Sequence, residues 1–224
     1  MGHREAVLVR HGYVVRYEIN EKYRSAEKVR SCIAERNGVR CFAFKIFHPD
    51  RPEHYDRIQK IQASIVRMAR MVGPIDDVVL LEDARGQMLW EMETAPDAAV
   101  VESQLAEFAT SIRKHGLIHG DLRPWNVFFD REYGVQVIDW WCLSAFVDDL
   151  MPEGALPARR ADLLGDGHYS KFHPDLVAAG RITDIDLADV RIIGRLLREE
   201  LDLDHAEAWG GAYRSLGRFR WQRS

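Results

Sequence analysis

Cysteines and long apolar runs are both scarce in this sequence. Only Cys32, Cys41 and Cys142 occur among 224 residues, and no two of them form a Cys-x-x-Cys pair. An odd number at these spacings argues against a disulfide framework and against a cysteine zinc site. The N-terminus lacks the apolar core of a signal peptide, and no apolar run approaches the roughly 20 residues that span a bilayer. We therefore expect a soluble, cytoplasmic protein without a membrane partner, or one that is released by a route that leaves no cleavable signal.

Strong net charge is also missing. The formal net charge is -4, and acidic and basic residues are mixed along the chain. This balance gives no reason to expect a nucleic-acid partner. The apolar fraction of 46% is high enough to build a sizeable core, which excludes a mainly disordered chain. The length fits one domain, or one domain with two lobes.

The first half of the sequence is typical of strands with one helix. Short β-rich runs occur at residues 6–9 and 12–18, and Asn37-Gly38 is a strong hairpin signal between residues 29–36 and 40–47. Four apolar residues at helical spacing predict a helix over about 54–71; they are Ile58, Ile61, Ile65 and Met68. A second hairpin is predicted from residues 78–82 and 87–92.

The second half is predicted to be mainly helical. Apolar residues mark one helix face at positions 101, 105, 108 and 112, Gly116 ends that helix, and another helix is predicted over about 185–201. The order is a β-rich lobe, a connector near residues 91–97, and an α-rich lobe. It predicts an α+β fold with lobes at residues 1–92 and 93–224 of a single domain.

The informative segment runs from residue 117 to residue 141. It places two acidic side chains and a carboxamide in turns between apolar strands. Residues 127–129 and 135–138 can pair as a hairpin, which would bring Asn126 close to Asp139. Carboxylate and carboxamide oxygens suit Mg²⁺, and Asp121 could orient an attacking hydroxyl. The pattern therefore indicates phosphoryl transfer.

The same segment carries a family resemblance. His119-Gly120-Asp121-Leu122 and the later Asn126 resemble the catalytic loop of protein kinases, H-R-D-L-x-x-x-N, with Gly120 in place of the arginine. The His-Gly-Asp version is similar to aminoglycoside and choline phosphotransferases and to some atypical protein kinases. The chain thus resembles the protein-kinase-like superfamily.

Further elements follow in the order of that superfamily, over about residues 17–201. Asp139 takes the place of the metal-binding Asp of the D-F-G motif. Residues 41–47 resemble the V-A-I-K strand, in which Lys45 takes the place of the ATP-binding lysine. Residues 189–194 resemble the D-V-x-x-x-G helix that anchors the catalytic loop, and residues 173–175 stand near the A-P-E position. The resemblance implies an antiparallel β-sheet N-lobe with one helix and a reduced, mainly helical C-lobe.

The resemblance also implies ATP and Mg²⁺ as cofactors. Mg²⁺ would be held by Asn126 and Asp139, and adenine would bind the backbone of the connector, whose residues are Glu91, Met92 and Glu93. Arg123 stands where protein Ser/Thr kinases carry a lysine. It could stabilise the transferring phosphoryl group, or it could pair with a nearby carboxylate.

Several positions depart from the kinase pattern. The place of the expected phosphate-binding loop, residues 22–29, contains no glycine. Lys22, Arg24 or Lys28 could supply charge there instead, and the favoured alternative is a solvated hairpin tip. The helix after Lys45 lacks the usual Glu partner of that lysine; Gln62 is favoured in its place, with Glu53 as the alternative. Trp141 in place of the D-F-G glycine, together with Gly120, predicts an enzyme active without a phosphorylation switch.

Three functions are compatible with these residues. Arg123-Pro124 favours an atypical, minimal protein Ser/Thr kinase, with ATP and a protein substrate as partners. His-Gly-Asp favours a small-molecule kinase that phosphorylates a hydroxyl. The missing glycines and missing helix Glu favour a pseudokinase that binds nucleotide without catalysis. Transfer of another group of ATP, such as AMP, is a further alternative.

Overall fold

The first half of the chain forms a five-stranded antiparallel sheet. The computed structural model describes residues 2–19, 30–45, 52–138, 145–146 and 173–200. The strand order is β1-β2-β3-β5-β4. The strands are β1 (Val14–Ile19), β2 (Arg30–Arg36), β3 (Val39–Lys45), β4 (Met71–Ile75) and β5 (Val78–Glu82).

The predicted hairpin around Asn37-Gly38 is confirmed. Arg36 pairs with Val39 across the turn, and Asn37 and Gly38 have φ values of 53° and 74°. Positive φ at both central residues is the geometry that matches the twist of the flanking strands, and Asn-Gly adopts it at low cost. Local turn chemistry was therefore sufficient to place β2 and β3.

The second predicted hairpin is wrong. β5 pairs with β4 across an Asp76-Asp77 turn and with β3 on its other side, so both of its edges are already used. Gln87–Met88, strand β6, instead pairs with β8 (Val127–Asp130). The pairing partner of β6 thus lies about 40 residues further along the chain, where no local signal could indicate it.

The predicted strand at residues 6–9 is wrong as well, because these residues lie in helix α1 (His3–Arg10). Val7 and Leu8 are buried, and they belong to the same apolar cluster as Val78 and Leu80 of β5. The first half therefore has a helix beyond the predicted one. A short apolar run is compatible with either structure, and here the uncovered face of the sheet decided the outcome.

The first part of the predicted 54–71 helix is confirmed by helix α2 (Pro52–Ile61), which is followed by a 3₁₀ turn (Gln62–Ser64). The prediction fails beyond that point. Ile65 is extended, with ψ at 122°, Arg67 has a φ of 60°, and Met68 bridges to Val137. Ile65 and Met68 are nevertheless buried, so the helical spacing reflected burial in an extended segment.

The second half begins with helix α3 (Ala98–Arg113). The Asp97 side chain accepts hydrogen bonds from the N–H groups of Ala99 and Val100, as expected of a helix N-cap. The four apolar residues of the predicted face are buried: Val101, Leu105, Phe108 and Ile112. Helix α3 packs against the helix at residues 185–197. Gly116 follows α3 with a φ of 65°.

The predicted hairpin after the catalytic loop is confirmed. β8 pairs with β9 (Gly134–Val137), and Val127 lies opposite Val137. The remaining elements are β7 (Leu117–Ile118), β10 (Ala145–Phe146), α4 (Pro174–Ala178) and α5 (Ile185–Leu197). An antiparallel sheet followed by helices confirms the α+β class and is consistent with the two-lobed kinase-like fold. None of the helices in the described part of the chain is long and apolar enough to cross a membrane.

Candidate active site

The loop between β7 and β8 carries the predicted catalytic residues, and its polar side chains are buried. His119, Asp121, Arg123 and Asn126 are each at most 4% exposed. Buried polar groups need partners, because an unsatisfied group costs about 1–3 kcal/mol. The contacts of these four residues therefore define the conformation of the loop.

Asp121 and Asn126 are in direct contact. The Asn126 Nδ2 amide donates to the backbone carbonyl of Asp121 at 2.8 Å and to its carboxylate Oδ2 at 2.9 Å. A 3₁₀ turn (Pro124–Asn126) brings Asn126 back towards Asp121, and the Asn126 N–H donates to the Arg123 carbonyl at 2.8 Å. The two predicted polar groups thus share one buried site.

Arg123 pairs with the same carboxylate. Its Nε lies 2.6 Å from Asp121 Oδ1, and its guanidinium lies 5.5 Å from the ring centroid of Trp125. Trp125 in turn makes an edge-to-face contact with Trp90 at 5.9 Å. Of the two predicted roles of Arg123, pairing with a local carboxylate is the one visible in this contact. Stabilisation of a phosphoryl group stays a prediction.

His119 braces the loop through both ring nitrogens. Nε2 lies 2.9 Å from the carbonyl of Ile138, to which it donates, and Nδ1 accepts from the Asp121 N–H at 3.1 Å. These partners assign the ring proton to Nε2, because a carbonyl oxygen can only accept. The side of the ring contacts Phe108. His119 therefore has a bracing role in the loop.

Asp186 was missed by the sequence reasoning. Its carboxylate accepts hydrogen bonds from the backbone N–H groups of His119 and Gly120, both at 2.9 Å. Gly120 has a φ of 78°, a conformation that glycine adopts without steric cost. The resemblance to D-V-x-x-x-G predicted that this helix anchors the loop, and the residue that makes the contact, Asp186, lies on α5 three positions before Asp189.

Asp189 has a different contact, with His173 Nε2 at 2.8 Å. Asp186 and Asp189 are both on the buried face of α5, together with Val190 and Ile193. An acidic residue in register with a buried apolar face was the signal that could have identified Asp186. Burial raises the pKa of the Asp186 carboxyl; His119 and the two N–H bonds oppose that shift, and Asp189 adds to it.

The structure describes only some of the residues that are predicted to bind the metal and the phosphates. The Ile138 N–H donates to the Asn126 carbonyl at 2.9 Å, so the chain passes Asn126 immediately before Asp139. Asp139 itself lies outside the described residues, as does Trp141. The glycine-free loop with Lys22, Arg24 and Lys28 also lies outside them.

Lys45 is the last residue of β3 and pairs with Val78, while its side chain lies outside the described part of the structure. Gln62, its favoured partner, uses both amide atoms on Met71: Nε2 donates to the Met71 carbonyl and Oε1 accepts from the Met71 N–H, both at 2.9 Å. Glu53, the alternative, is exposed at the start of α2. The partner of Lys45 stays a prediction.

The connector lies beside the catalytic loop. Trp90 belongs to a 3₁₀ turn (Leu89–Glu91) and contacts Trp125. Met92 is buried, whereas Glu93 is exposed. The 3₁₀ turn that leads into the connector therefore packs beside the 3₁₀ turn that ends at Asn126.

Comparison with known families agrees with this geometry. Residues 45–145 match the family model described as "Phosphotransferase enzyme family". The chain's resemblance to the protein-kinase-like superfamily is thereby confirmed. The match covers just under half of the chain, including Lys45, the catalytic loop and both strands of the β8–β9 hairpin. It indicates a phosphotransferase, for which ATP and usually Mg²⁺ are implied. No curated protein matches the chain.

The residues of this kinase-like loop fit a hard divalent cation. The two hydrogen bonds that Asn126 donates to Asp121 both use Nδ2, so they do not consume its carbonyl oxygen Oδ1. Mg²⁺ prefers such oxygen ligands and usually takes only one or two carboxylates. Among the described residues no three His, Cys, Asp or Glu side chains cluster as a metal site. A site here would depend on Asn126 together with a ligand such as Asp139.

Proposed function

We propose that this protein transfers the γ-phosphoryl group of ATP to an alcohol hydroxyl, with Asp121 as the carboxylate that orients the attacking hydroxyl. The observation that carries the proposal is the buried contact between Asp121 and Asn126, in a loop fixed by Asp186 and His119. Phosphoryl transfer depends on positioning and on electrostatics rather than on covalent help. A loop with so many fixed contacts is suited to that requirement.

Within this proposal, Asp121 accepts the proton of the hydroxyl as its oxygen forms a bond to the γ-phosphorus and the bond from that phosphorus to ADP, the leaving group, breaks. Arg123 holds the Asp121 carboxylate in one orientation through their 2.6 Å contact. Arg123 also places positive charge next to the transferring group. Both roles belong to residues with almost no solvent contact, where electrostatic interactions are strong.

The nucleotide would be held by residues from both halves of the chain. Lys45 would contact the ATP phosphates, Asn126 and Asp139 would hold Mg²⁺, and the connector backbone would bind adenine. When bound, Mg²⁺ would neutralise the negative charge of the phosphates. We propose residues 1–92 and 93–224 as the two lobes, although β6 at the end of the first lobe pairs with β8 of the second.

Two classes of acceptor are proposed. Arg123-Pro124 in the loop supports a Ser or Thr hydroxyl of a protein, as in the protein Ser/Thr kinases that the loop resembles. The His-Gly-Asp sequence, which is similar to that of aminoglycoside and choline phosphotransferases, supports a small-molecule hydroxyl as the second candidate. Both use the same chemistry at Asp121.

The test uses ATP labelled at either the γ or the α position. The protein is incubated with Mg²⁺ and each nucleotide, first with a cell lysate and then with a panel of hydroxylated small molecules. Transfer of γ-label to protein supports the first acceptor class, and transfer to a small molecule supports the second. Transfer of α-label would contradict the proposal in favour of AMP transfer. Nucleotide binding without any transfer would contradict it in favour of a pseudokinase.

A further inference from the structure

The loop that joins α2 to β4, residues 62–71, crosses onto the second half of the chain. We call it the crossing loop. It is closed at its base by the two Gln62–Met71 hydrogen bonds. Ser64 donates to the Ile61 carbonyl at 2.6 Å and accepts from His115 Nε2, just after α3, at 2.7 Å. The crossing loop is thus a fixed structure with contacts to both halves.

Arg67 lies at the tip of the crossing loop and contacts the β8–β9 hairpin at two separate points. Its backbone carbonyl accepts from the Val137 N–H at 2.7 Å, at the end of β9. Its Nη1 donates to the Tyr133 carbonyl at 3.0 Å, in the turn before β9. Its guanidinium also lies 3.4 Å from Glu107 on α3. One residue therefore holds β9 at both ends and ties it to α3.

The backbone of Arg67 has a conformation that is costly for a residue with a side chain. Its φ is 60°, and such a conformation costs about 1 kcal/mol or more outside glycine. This turn directs the following residues alongside β9: the Ala69 N–H donates to the Val137 carbonyl at 3.0 Å, and Met68 forms a parallel bridge with Val137. The cost of the turn is offset by these contacts.

The end of β9 leads directly to the catalytic loop. Ile138 follows Val137, and its N–H donates to the Asn126 carbonyl while its own carbonyl accepts from His119 Nε2, both at 2.9 Å. His119 in turn accepts from the Asp121 N–H. A continuous set of hydrogen bonds therefore joins Arg67 to Asp121.

We propose that Arg67 is a positioning residue for phosphoryl transfer, which holds β9 so that Ile138 fixes Asn126 and His119 beside Asp121. This inference rests on the proposed function. Arg67 does not itself touch the reacting groups. Its effect is on the placement of the catalytic loop, and displacement of a reacting group by about 1 Å can lower a rate by about 100-fold.

The test compares Arg67→Ala with Arg70→Ala in the full chain. Arg70 is an exposed arginine in the same crossing loop, so it controls for the loss of a surface charge. Turnover is measured well below the unfolding temperature of each variant. We expect Arg67→Ala to lower kcat by about 10- to 100-fold, Arg70→Ala to stay within twofold of wild type, and Arg67→Lys to recover part of the loss.

A second measurement is independent of activity. Hydrogen exchange of the Val137 and Ile138 amides should become at least tenfold faster in Arg67→Ala, because the substitution removes the side-chain contacts with the Tyr133 carbonyl and with Glu107. It should stay unchanged in Arg70→Ala, because the Arg70 side chain is exposed. If Arg67→Ala does not fold, Arg67→Met and Arg70→Met replace the pair, because methionine keeps most of the side-chain length but cannot donate to the Tyr133 carbonyl.

Two results would overturn the positioning role: a kcat within twofold of wild type in folded Arg67→Ala, or a lower kcat with unchanged exchange at Val137 and Ile138. Wild-type protein that transfers no label from ATP would instead contradict the proposed function. In that event the exchange measurement still decides whether Arg67 holds the strand that fixes the loop.

Discussion

At the scale of single residues, Asp121 is the group on which the proposed chemistry depends. Asp121→Asn keeps the size of the side chain and an oxygen that can accept from Asn126 Nδ2, while it replaces the oxygen that contacts Arg123 Nε with an amide donor. The substitution removes the negative charge and the ability to take up a proton. We expect turnover to fall by about 100-fold or more, with the Kd for ATP changed by less than about threefold, as measured by steady-state kinetics and by calorimetry.

The matched control for this prediction is Asp175→Asn, which neutralises an exposed carboxylate on α4. Its turnover should stay close to that of wild type. If Asp121→Asn retains turnover within a few-fold of wild type, Asp121 is not the catalytic carboxylate.

Cys41 provides a pH-dependent prediction. It lies on β3 under α1, and burial raises the pKa of its thiol to about 11, with Glu82 and Asp83 adding to the shift. Because the pKa of this thiol is higher in the folded than in the unfolded state, its contribution to the free energy of unfolding is fully present below the unfolded pKa of about 8.5. That contribution is lost as the pH rises towards 11, because folding then opposes ionisation of the thiol.

The measurable consequence is slow alkylation. Only the thiolate reacts, so at pH 8 iodoacetamide should modify Cys41 at least tenfold more slowly in the native protein than in urea. Peptide mass spectrometry distinguishes it from the other two cysteines. Equal rates in the native and urea-unfolded protein would show that the Cys41 thiol is accessible and that its pKa is not raised.

At the scale of elements, Gly86 determines how β6 approaches β8. It has a φ of 78°, and an added Cβ would overlap the backbone carbonyl of Phe129. Backbone cannot move aside as a flexible side chain can. We expect Gly86→Ala to lower the free energy of unfolding by about 3 kcal/mol or more, from left-handed strain and overpacking together, as measured by urea denaturation.

Gly12→Ala is the control for Gly86→Ala. Gly12 has a φ of 80°, but nothing lies within 4 Å of the position of an added Cβ. Its substitution should cost only the strain term of about 1–2 kcal/mol. Equal losses in the two variants would mean that contact with Phe129 does not constrain β6.

Asp186 connects two elements, α5 and the catalytic loop. Asp186→Ala leaves two buried N–H groups, those of His119 and Gly120, without their acceptor, although it also relieves the cost of burying a carboxylate. We expect a net loss of about 2–4 kcal/mol in the free energy of unfolding, against less than about 0.5 kcal/mol for Asp175→Ala at the surface. A stability equal to wild type would show that water or other groups replace the carboxylate.

At the scale of the whole molecule, nucleotide binding should stabilise the fold. A ligand at 100 times its Kd adds about 2.7 kcal/mol to the apparent stability of the native state. We therefore expect ATP with Mg²⁺ to raise the Tm, EDTA to remove most of that shift, and Asp139→Ala to remove the Mg²⁺-dependent part. Thermal denaturation with and without ATP, Mg²⁺ and EDTA measures these shifts in Tm.

Asp175→Ala serves again as the control and should respond to ATP with Mg²⁺ as wild type does. A Mg²⁺-dependent shift that persists in Asp139→Ala would exclude Asp139 as a metal ligand. This outcome matters because the assignment of Asp139 depends on the D-F-G resemblance and on its position one residue after Ile138, which bonds to Asn126.

The sequence by itself determined those features whose causes are local. Asn37-Gly38 placed a hairpin because both residues tolerate positive φ, and the apolar period of α3 predicted its buried face. The residues of the catalytic loop were also identifiable, because their chemistry resides in a short segment whose order matches a known family.

Tertiary structure decided the features whose partners are distant in the chain. Residues 6–9 became a helix because the outer face of the sheet needed a cover, and the helix predicted over 54–71 ended early because residues 67–69 pair with β9. β6 found its partner in β8, and Asp186 reached the catalytic loop from 66 positions away. In each instance burial or a backbone hydrogen bond with a remote segment outweighed a local preference of less than about 1 kcal/mol per residue.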